Sequence, residues 1–291
     1  MAFNNVLVVH KKSAYKIYFL EKGSSLYGKQ RSIPPAELAR FRAAHSTHYR
    51  TLDYVLQMLR AMKVRHSIHC RGRTINAAPY NLIVTVGGDG TFLESARSAV
   101  RQVLLGVNSD PERSIGRFCV SRDETFVEIL HKVLSGRAVV QEIPRIRLIL
   151  GTGRRKVNLN VLNDILVCHA NPAAMSRYYL TIDGYREEHR SSGVWIATAA
   201  GSSGAVRSAG GKILPKESRK IQYRPRELYE QFNPRYVLRG GVLNLHRPVV
   251  VESLMRSGEI YVDGAHFKFP LAFGDKVRMT HSPQPARVVC G

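Results

Sequence analysis

Over roughly the first 140 residues, short runs of consecutive apolar residues alternate with stretches in which apolar residues recur at helical spacing. Asn5-Val-Leu-Val-Val-His10 is apolar through its centre, Tyr49 to Met62 is periodic, and Asn81-Leu-Ile-Val-Thr-Val86 is again continuous. An unbroken apolar run marks a strand buried on both faces. The series continues with a helical pattern over Phe92 to Val100, a strand over Val103 to Val107 and a helix near Glu124 to Leu134. This grammar predicts a doubly wound, Rossmann-like α/β domain around a parallel sheet.

After Pro144 the strands crowd together. They are predicted at Ile146 to Leu150, Lys156 to Cys168, Arg177 to Asp183, Gly193 to Thr198, Val249 to Glu252, Glu259 to Val262 and Lys276 to Met279, and helical pattern nearly vanishes. Strands without intervening helices imply an antiparallel, β-rich second domain, with 201–211 and 215–240 as long connections. The expected boundaries are 1–142 for the α/β domain and 143–271 for the β-rich one, leaving 272–291 free to pack back onto the first. No internal repeat is present.

Composition changes this picture in one respect. Forty-four Lys and Arg against 22 Asp and Glu give a net charge of +22, so anionic partners are expected. The basic residues are spread along the chain rather than clustered with aromatics, and no zinc-finger, RNP or basic-zipper pattern occurs, which argues against a specific nucleic-acid module. Cys70, Cys119, Cys168 and Cys290 form no CxxC pair, so neither a zinc site nor a disulfide framework is indicated. The apolar run Val6 to Val9 is too short for a signal peptide and no stretch approaches the roughly 20 residues of a membrane helix. The expectation is a cytoplasmic protein with no membrane association. The eleven histidines follow no ligand spacing.

Chemistry concentrates in three places. Gly87-Gly88-Asp89-Gly90-Thr91 lies directly after an apolar strand and directly before a helical pattern. Glycines there let backbone N–H groups approach a phosphate, and the helix N-terminus favours negative charge. A carboxylate in such a turn would repel a phosphate unless it held a metal or took a proton from an attacking hydroxyl. The alternative is a plain glycine-rich turn with Asp89 as a helix cap. Neither GxxxxGK[ST] nor GxGxxG is present.

Second, Asn163-Asp164 interrupts the apolar Leu162 to Val167; the pair suits the edge of an adenine or the hydroxyls of a ribose, or else marks a bulge or strand end. Third, Ser191-Ser192-Gly193 leads through Thr198 into Gly201-Ser202-Ser203-Gly204-Ala205-Val-Arg-Ser208-Ala-Gly210-Gly211, where small residues would let a flat ligand lie against backbone.

Gly-Gly-Asp-Gly-Thr resembles the signature shared by NAD kinases, phosphofructokinases and the diacylglycerol and sphingosine lipid kinases. The Asn163-Asp164 pair resembles the Asn-Glu of NAD kinases, and the 198–211 segment resembles their Gly-Ser-Thr-Ala-Tyr stretch ending in Ser-x-Gly-Gly. Gly106-Val-Asn-Ser-Asp-Pro-Glu-Arg-Ser-Ile-Gly116 and Tyr261-Val-Asp263-Gly264 complete the likeness in the family's order over about residues 80 to 280. The chain is identified as resembling the NAD kinase family, most nearly its mitochondrial type.

The resemblance implies ATP-dependent phosphorylation of the 2'-hydroxyl on the adenosine ribose of NAD or NADH. It makes Asp89 the proton acceptor, with Gly88, Gly90 and Thr91 at the ATP phosphates beside a divalent metal such as Mg2+. Asn163 and Asp164 would hold adenosine. Ser192, Thr198, Ser203 and Ser208 would line the nucleotide pocket, and a homodimer or larger homo-oligomer is implied. Two departures stand out: Ser191-Ser192-Gly193 replaces the family's usual Gly-Asp-Gly, and Ala205 replaces its aromatic residue, removing a stacking surface. The alternatives are a lipid kinase of the diacylglycerol or sphingosine type, and a basic nucleic-acid-binding protein without activity.

Overall fold

The computed structural model describes residues 3–152 and 155–290. The chain divides into two compact units, Met1–Gln141 with Arg287–Gly291, and Glu142–Ala286. In chain order the elements of the first are β1 (Asn5–His10), α1 (Pro35–Ala61), β2 (Arg65–Cys70), β3 (Leu82–Gly87), α2 (Asp89–Ser98), β4 (Val103–Asn108), α3 (Asp123–Leu134) and β5 (Val139–Ile143). The second holds β6 (Ile146–Thr152), β7 (Arg155–Val161), β8 (Asp164–His169), β9 (Ser176–Ile182), β10 (Tyr185–Ser191), β11 (Val194–Thr198), the one-turn helix α4 (Ala205–Ser208), β12 (Lys220–Pro225), β13 (Gly241–Asn244), β14 (Val249–Ser253), β15 (Gly258–Val262), β16 (Lys268–Leu271) and β17 (Lys276–His281). The last strand, β18 (Ala286–Cys290), joins the first unit's sheet beside β4.

That sheet has the order β2-β1-β3-β4-β18-β5, and the pairings of β1 with β2 and β3, of β3 with β4 and of β4 with β18 are parallel. Val6, Val8, Leu82, Val84, Val86, Val103, Leu105 and Val107 pack with Leu52, Val55, Leu56 and Leu59 of α1 and Phe126, Leu130 and Val133 of α3. The alternate residues Leu7, Val9, Ile83 and Leu104 are buried too, and α2 packs on β1, β3 and β4. Burial on both faces is why these strands read as unbroken apolar runs.

The second unit is a sandwich of two six-stranded sheets, β10-β9-β14-β17-β6-β7 and β13-β12-β11-β8-β15-β16. Every pairing described within them is antiparallel. Leu148, Leu150, Leu180, Ile182, Val249, Val251, Val277 and Met279 of one sheet meet Ile165, Val167, Val194, Ile196, Ile221, Ile260 and Val262 of the other. The doubly wound parallel unit and the antiparallel β-rich unit are the fold class read from the sequence.

Individual elements depart from that reading. The segment 156–168 is two strands in different sheets, broken at Leu162-Asn163. The connection 215–240 contains β12, an interior strand whose Ile221, Gln222, Tyr223 and Pro225 are buried despite the basic residues between them. The stretch 201–211 is a short turn of 3-10 helix followed by one helical turn. Helix α1 begins at Pro35, well before the Tyr49 read from the pattern, and its first half escaped notice because its buried residues start only at His48.

Candidate functional site

In the parallel sheet the chain leaves β1 toward β2 on one side and enters β3 on the other. The crevice outside the carboxyl ends of β1 and β3 is therefore the topological switch point, where open α/β sheets take their ligands. Gly87 ends β3 and Asp89 begins α2, so the Gly-Gly-Asp-Gly turn lies at that point.

Gly88 caps α2, and neither it nor Asp89 makes a side-chain capping bond, which removes the helix-cap alternative for Asp89. Instead Asp89 Oδ1 accepts a 2.9 Å hydrogen bond from the Phe118 amide. No other hydrogen bond to this half-buried carboxylate is found among the described residues, so Oδ2 remains for an incoming hydroxyl. The Phe118 ring stacks on Phe92 of α2 at 5.1 Å with 8° between planes, which fixes the loop that supplies that amide.

The first two glycines sit in crowded places. A Cβ on Gly88 would sit 2.3 Å from Ser114 Oγ, and one on Gly87 would sit 2.4 Å from Thr91 Oγ1. Thr91 is buried and its hydroxyl faces this packing rather than solvent, whereas Gly90 is exposed.

The loop after β4 is held by a second set of bonds. Asn108 Nδ2 donates to Ser114 O at 2.8 Å, and Arg113 pairs with Asp110 at 2.9 Å. His48 of α1 spans the crevice floor: Nε2 donates to Lys11 O and Nδ1 accepts from Ser109 Oγ, each at 2.8 Å. Burial pushes this imidazole down to about 4, so it stays neutral and ties the ends of β1 and β4 together. Burial, followed by the charge of Asp89, pushes the Cys119 thiol up to about 12; it is no nucleophile at neutral pH.

A second constellation lies within the β-rich unit, where β7 gives way to β8. The Asn163 amide donates to Asp263 Oδ1 at 2.7 Å, the Asn163 carbonyl accepts from the Thr198 amide at 2.9 Å, and Thr198 Oγ1 donates to Leu162 O at 2.6 Å. Asn163 Nδ2 in turn reaches Asp164 Oδ2 at 3.3 Å. Thr198 thus holds the turn that presents Asn163 and Asp164, and the Gly201 amide donates back to its hydroxyl at 3.0 Å. Gly201 is compulsory: a Cβ there would lie 2.1 Å from the Asn163 carbonyl oxygen.

Asp263 stands at the centre of this network. Its φ of +49° belongs to a tight turn with Gly264, and beneath it Arg145, fully buried, donates to Gln284 O at 2.7 Å. Burial lowers the Arg145 guanidinium to about 10, with the Asp263 charge opposing. Asp183-Gly184 is a turn between β9 and β10. Sequence reasoning saw Asp263-Gly264 as part of a motif but had no signal that its carboxylate would anchor the Asn163 turn; that is a contact across 100 residues.

Desolvation first, and the Asp263 charge second, push Asp164 up to about 7 from an ordinary 3.8. A raised carboxyl favours the folded state most when it is protonated, so its contribution is complete below about pH 4 and is lost as pH climbs through about 7. Unfolding titrations should show stability falling by at most about 4 kcal/mol across that window, and Asp164→Asn should flatten the slope. A slope unchanged in the variant would mean another group carries it.

The remaining positions scatter. Ser192 donates its amide to Arg226 O at 2.9 Å, Ser203 is half-buried at the end of the 3-10 turn, and Ser208 is exposed at the end of α4. Gly88, Asp89, Gly90 and Thr91 come together in the first unit; Asn163, Asp164 and Thr198 come together in the second. Among the described residues no group of three or more His, Cys, Asp or Glu could hold a metal by itself, and no helix is long and apolar enough to cross a membrane.

No family model matches the chain. It is 31% identical to a probable NADH kinase of Oryza sativa subsp. japonica over 231 residues, covering 72% of this chain and 70% of that protein. It is 32% identical to an NADH kinase of Arabidopsis thaliana over 242 residues, 69% of each. Among solved structures, an NAD kinase from Archaeoglobus fulgidus in complex with ATP aligns with a TM-score of 0.68 at 20% identity, covering 98% of this chain and 93% of that one. Yeast NADH kinase complexed with NADH aligns at 0.69 and 16% identity, covering 100% and 84%.

Proposed function

The chain belongs to the NAD kinase family, and we propose that it transfers the terminal phosphoryl group of ATP to the 2'-hydroxyl on the adenosine ribose of NAD or NADH. The observation that carries this reading is Asp89: one carboxylate, held through a single oxygen by the Phe118 amide, on a glycine turn at the switch point of a parallel sheet.

In this mechanism the amides of Gly88 and Gly90 and the α2 N-terminus hold phosphate oxygens. Thr91 packs beneath the turn and fixes its shape. Asp89 Oδ2 accepts the proton of the 2'-hydroxyl as its oxygen forms a bond to the γ-phosphorus and the bond to the ADP leaving oxygen breaks. Asn163 and Asp164 hold the adenosine, with Asp164 able to donate as well as accept near neutral pH. Thr198 positions both, and the same reading assigns Ser192, Ser203 and Ser208 to the nucleotide as well.

A divalent cation, magnesium in the first instance, belongs to this reading. No cluster of ligating side chains is found among the described residues, which fits an ion that would take its ligands from phosphate oxygens and water, because Asp89 Oδ1 holds the Phe118 amide and Oδ2 is the proton acceptor. When bound it would spread the charge of the transferring phosphoryl group.

A homodimer or larger homo-oligomer is part of the same proposal. It is supported by the open edges β10 and β13, which carry the exposed Tyr185 and Val242. A cytoplasmic setting accords with four free cysteines.

The purified chain, given ATP and magnesium with NAD, NADH or diacylglycerol, is expected to phosphorylate a dinucleotide and leave the lipid untouched. Phosphorylated diacylglycerol would move the chain to the lipid-kinase reading. RNA binding with a steep salt dependence and no ATP turnover would favour the nucleic-acid-binding one.

A further inference from the structure

Between β1 and the first buried residues of α1 lies a stretch that the phosphoryl-transfer chemistry does not use. From Lys12 to Arg50 eight Lys and Arg stand against two Glu, a balance of +6. More than a quarter of the chain's charge of +22 therefore falls on 39 of its 291 residues. Lys12 is paired with Glu21, and Lys16 lies over the Tyr49 ring. Lys22, Lys29 and Arg31 are exposed and enter no ion pair among the described residues.

Apolar side chains stand on the same stretch. One π-helical turn, Lys16–Leu20, directs Phe19 inward, where it is 1% exposed and packs on Phe41 of α1 and on Tyr15 with ring centroids 5.6 and 5.3 Å away. Ile17, Tyr18 and Leu20 of that turn, and Tyr27 after it, are each 42–47% exposed. The Gly28 amide and the Gln30 side chain both donate to Phe19 O at 3.5 Å. These bonds close 19–30 into a compact loop and bring Tyr27 and Lys29 beside the turn. Phe19 is the anchor of the face, and the exposed residues are presented on it.

We propose that this face rests on an anionic lipid surface, with Ile17, Tyr18, Leu20 and Tyr27 in the headgroup layer and Lys22, Lys29 and Arg31 on its phosphates. Aliphatic and tyrosine side chains ringed by cations on long stems suit that boundary, and the charge of such a leaflet is opposite to the one found here. Among the described residues no helix could cross a bilayer, so the contact is peripheral. A second copy fits less well, because a symmetric contact would set like charge against like. RNA fits less well too: it needs open aromatic faces, whereas Tyr18 is engaged with Phe19 and Phe41 at 82° and 87° and two of the four exposed side chains are aliphatic. No residue of the glycine turn belongs to this face, so the lipid is a support and not the phosphoryl acceptor.

Full-length protein should sediment with phosphatidylcholine vesicles containing about 30% phosphatidylserine in about 0.1 M salt, and should stay in solution with pure phosphatidylcholine. Ile17→Ser combined with Leu20→Ser should lower the partition constant about tenfold although every charge is kept. Lys22→Gln combined with Lys29→Gln should lower it about thirtyfold, and the same change at the remote Lys132 and Lys276 far less. All these side chains are exposed, so the thermal melts should not move.

Failure to bind the anionic vesicles would overturn the proposal. An unchanged partition constant in the serine pair would overturn it as well, since attraction would then come from net charge without a built face. A serine pair that lost self-association or binding to single-stranded RNA, but kept vesicle binding, would give the face to another occupant and overturn it too. Should the serine pair not fold, the lysine comparison decides: equal losses at Lys22 with Lys29 and at Lys132 with Lys276 would refute a local face.

Discussion

Asp89→Asn should lower NADP formation by roughly two to four orders of magnitude while leaving the fold and both substrate affinities in place. The amide is isosteric and its oxygen still accepts the 2.9 Å bond from the Phe118 amide, so the loop stacked through Phe118 on Phe92 has no reason to move. What is lost is the basic oxygen. The charge change acts in the opposite direction on binding, because removing a carboxylate from a phosphate-binding turn relieves repulsion; ATP should bind as well or better. A thermal melt and calorimetric titrations with ATP and with NAD separate these outcomes from simple misfolding. Turnover within a few-fold of the natural enzyme would remove Asp89 from the chemistry.

The second large effect is expected at Gly201. Substituting alanine would place a Cβ 2.1 Å from the Asn163 carbonyl oxygen and 2.5 Å from its carbonyl carbon, both backbone atoms with nowhere to go. That carbonyl is already engaged by the Thr198 amide, and the Asn163 amide is engaged by Asp263. Relief therefore requires breaking the turn that presents Asn163 and Asp164. Gly201→Ala should cost about 3 kcal/mol of stability and abolish NAD binding, read by a denaturant melt and by the same calorimetric titration with NAD. Normal stability together with a normal KM for NAD would show that this turn does not build the acceptor site.

The sequence made the framework legible where burial is complete. β1, β3 and β4 lie inside a sheet covered on both faces, and their residues leave an unbroken apolar run. The strands that escaped notice are mostly at edges: β2, β5, β10, β13 and β16 each end a sheet. Half of an edge strand faces solvent, and β10, Tyr-Arg-Glu-Glu-His-Arg-Ser, is polar enough to hide its pairing altogether. β12 is interior yet carries Lys220 and Arg224, and Arg224 takes its place by donating to backbone carbonyls rather than by being apolar.

The candidate site divides along a similar line. The glycine turn declares itself locally, since strand, turn and helix are consecutive. Asp263 and Phe118 acquire their parts only through contacts across many residues, and no periodicity announces them. The Ser191-Ser192-Gly193 departure also looks different once folded. Ser191 Oγ is hydrogen-bonded to Tyr178 and to the Gly193 amide, and the Ser192 amide donates to the Arg226 carbonyl, so this segment is fixed by packing and main-chain bonds.

The central claim is that the acceptor is the 2'-hydroxyl of the adenosine ribose, and two deoxy analogues of NAD test it most directly. With ATP and magnesium, NAD lacking the adenosine 3'-hydroxyl should be phosphorylated and yield a product whose new phosphorus resonance belongs to a 2'-phosphate, whereas NAD lacking the 2'-hydroxyl should yield none. Phosphorylation of the 2'-deoxy analogue, or ATP consumption that follows neither dinucleotide, would contradict the account.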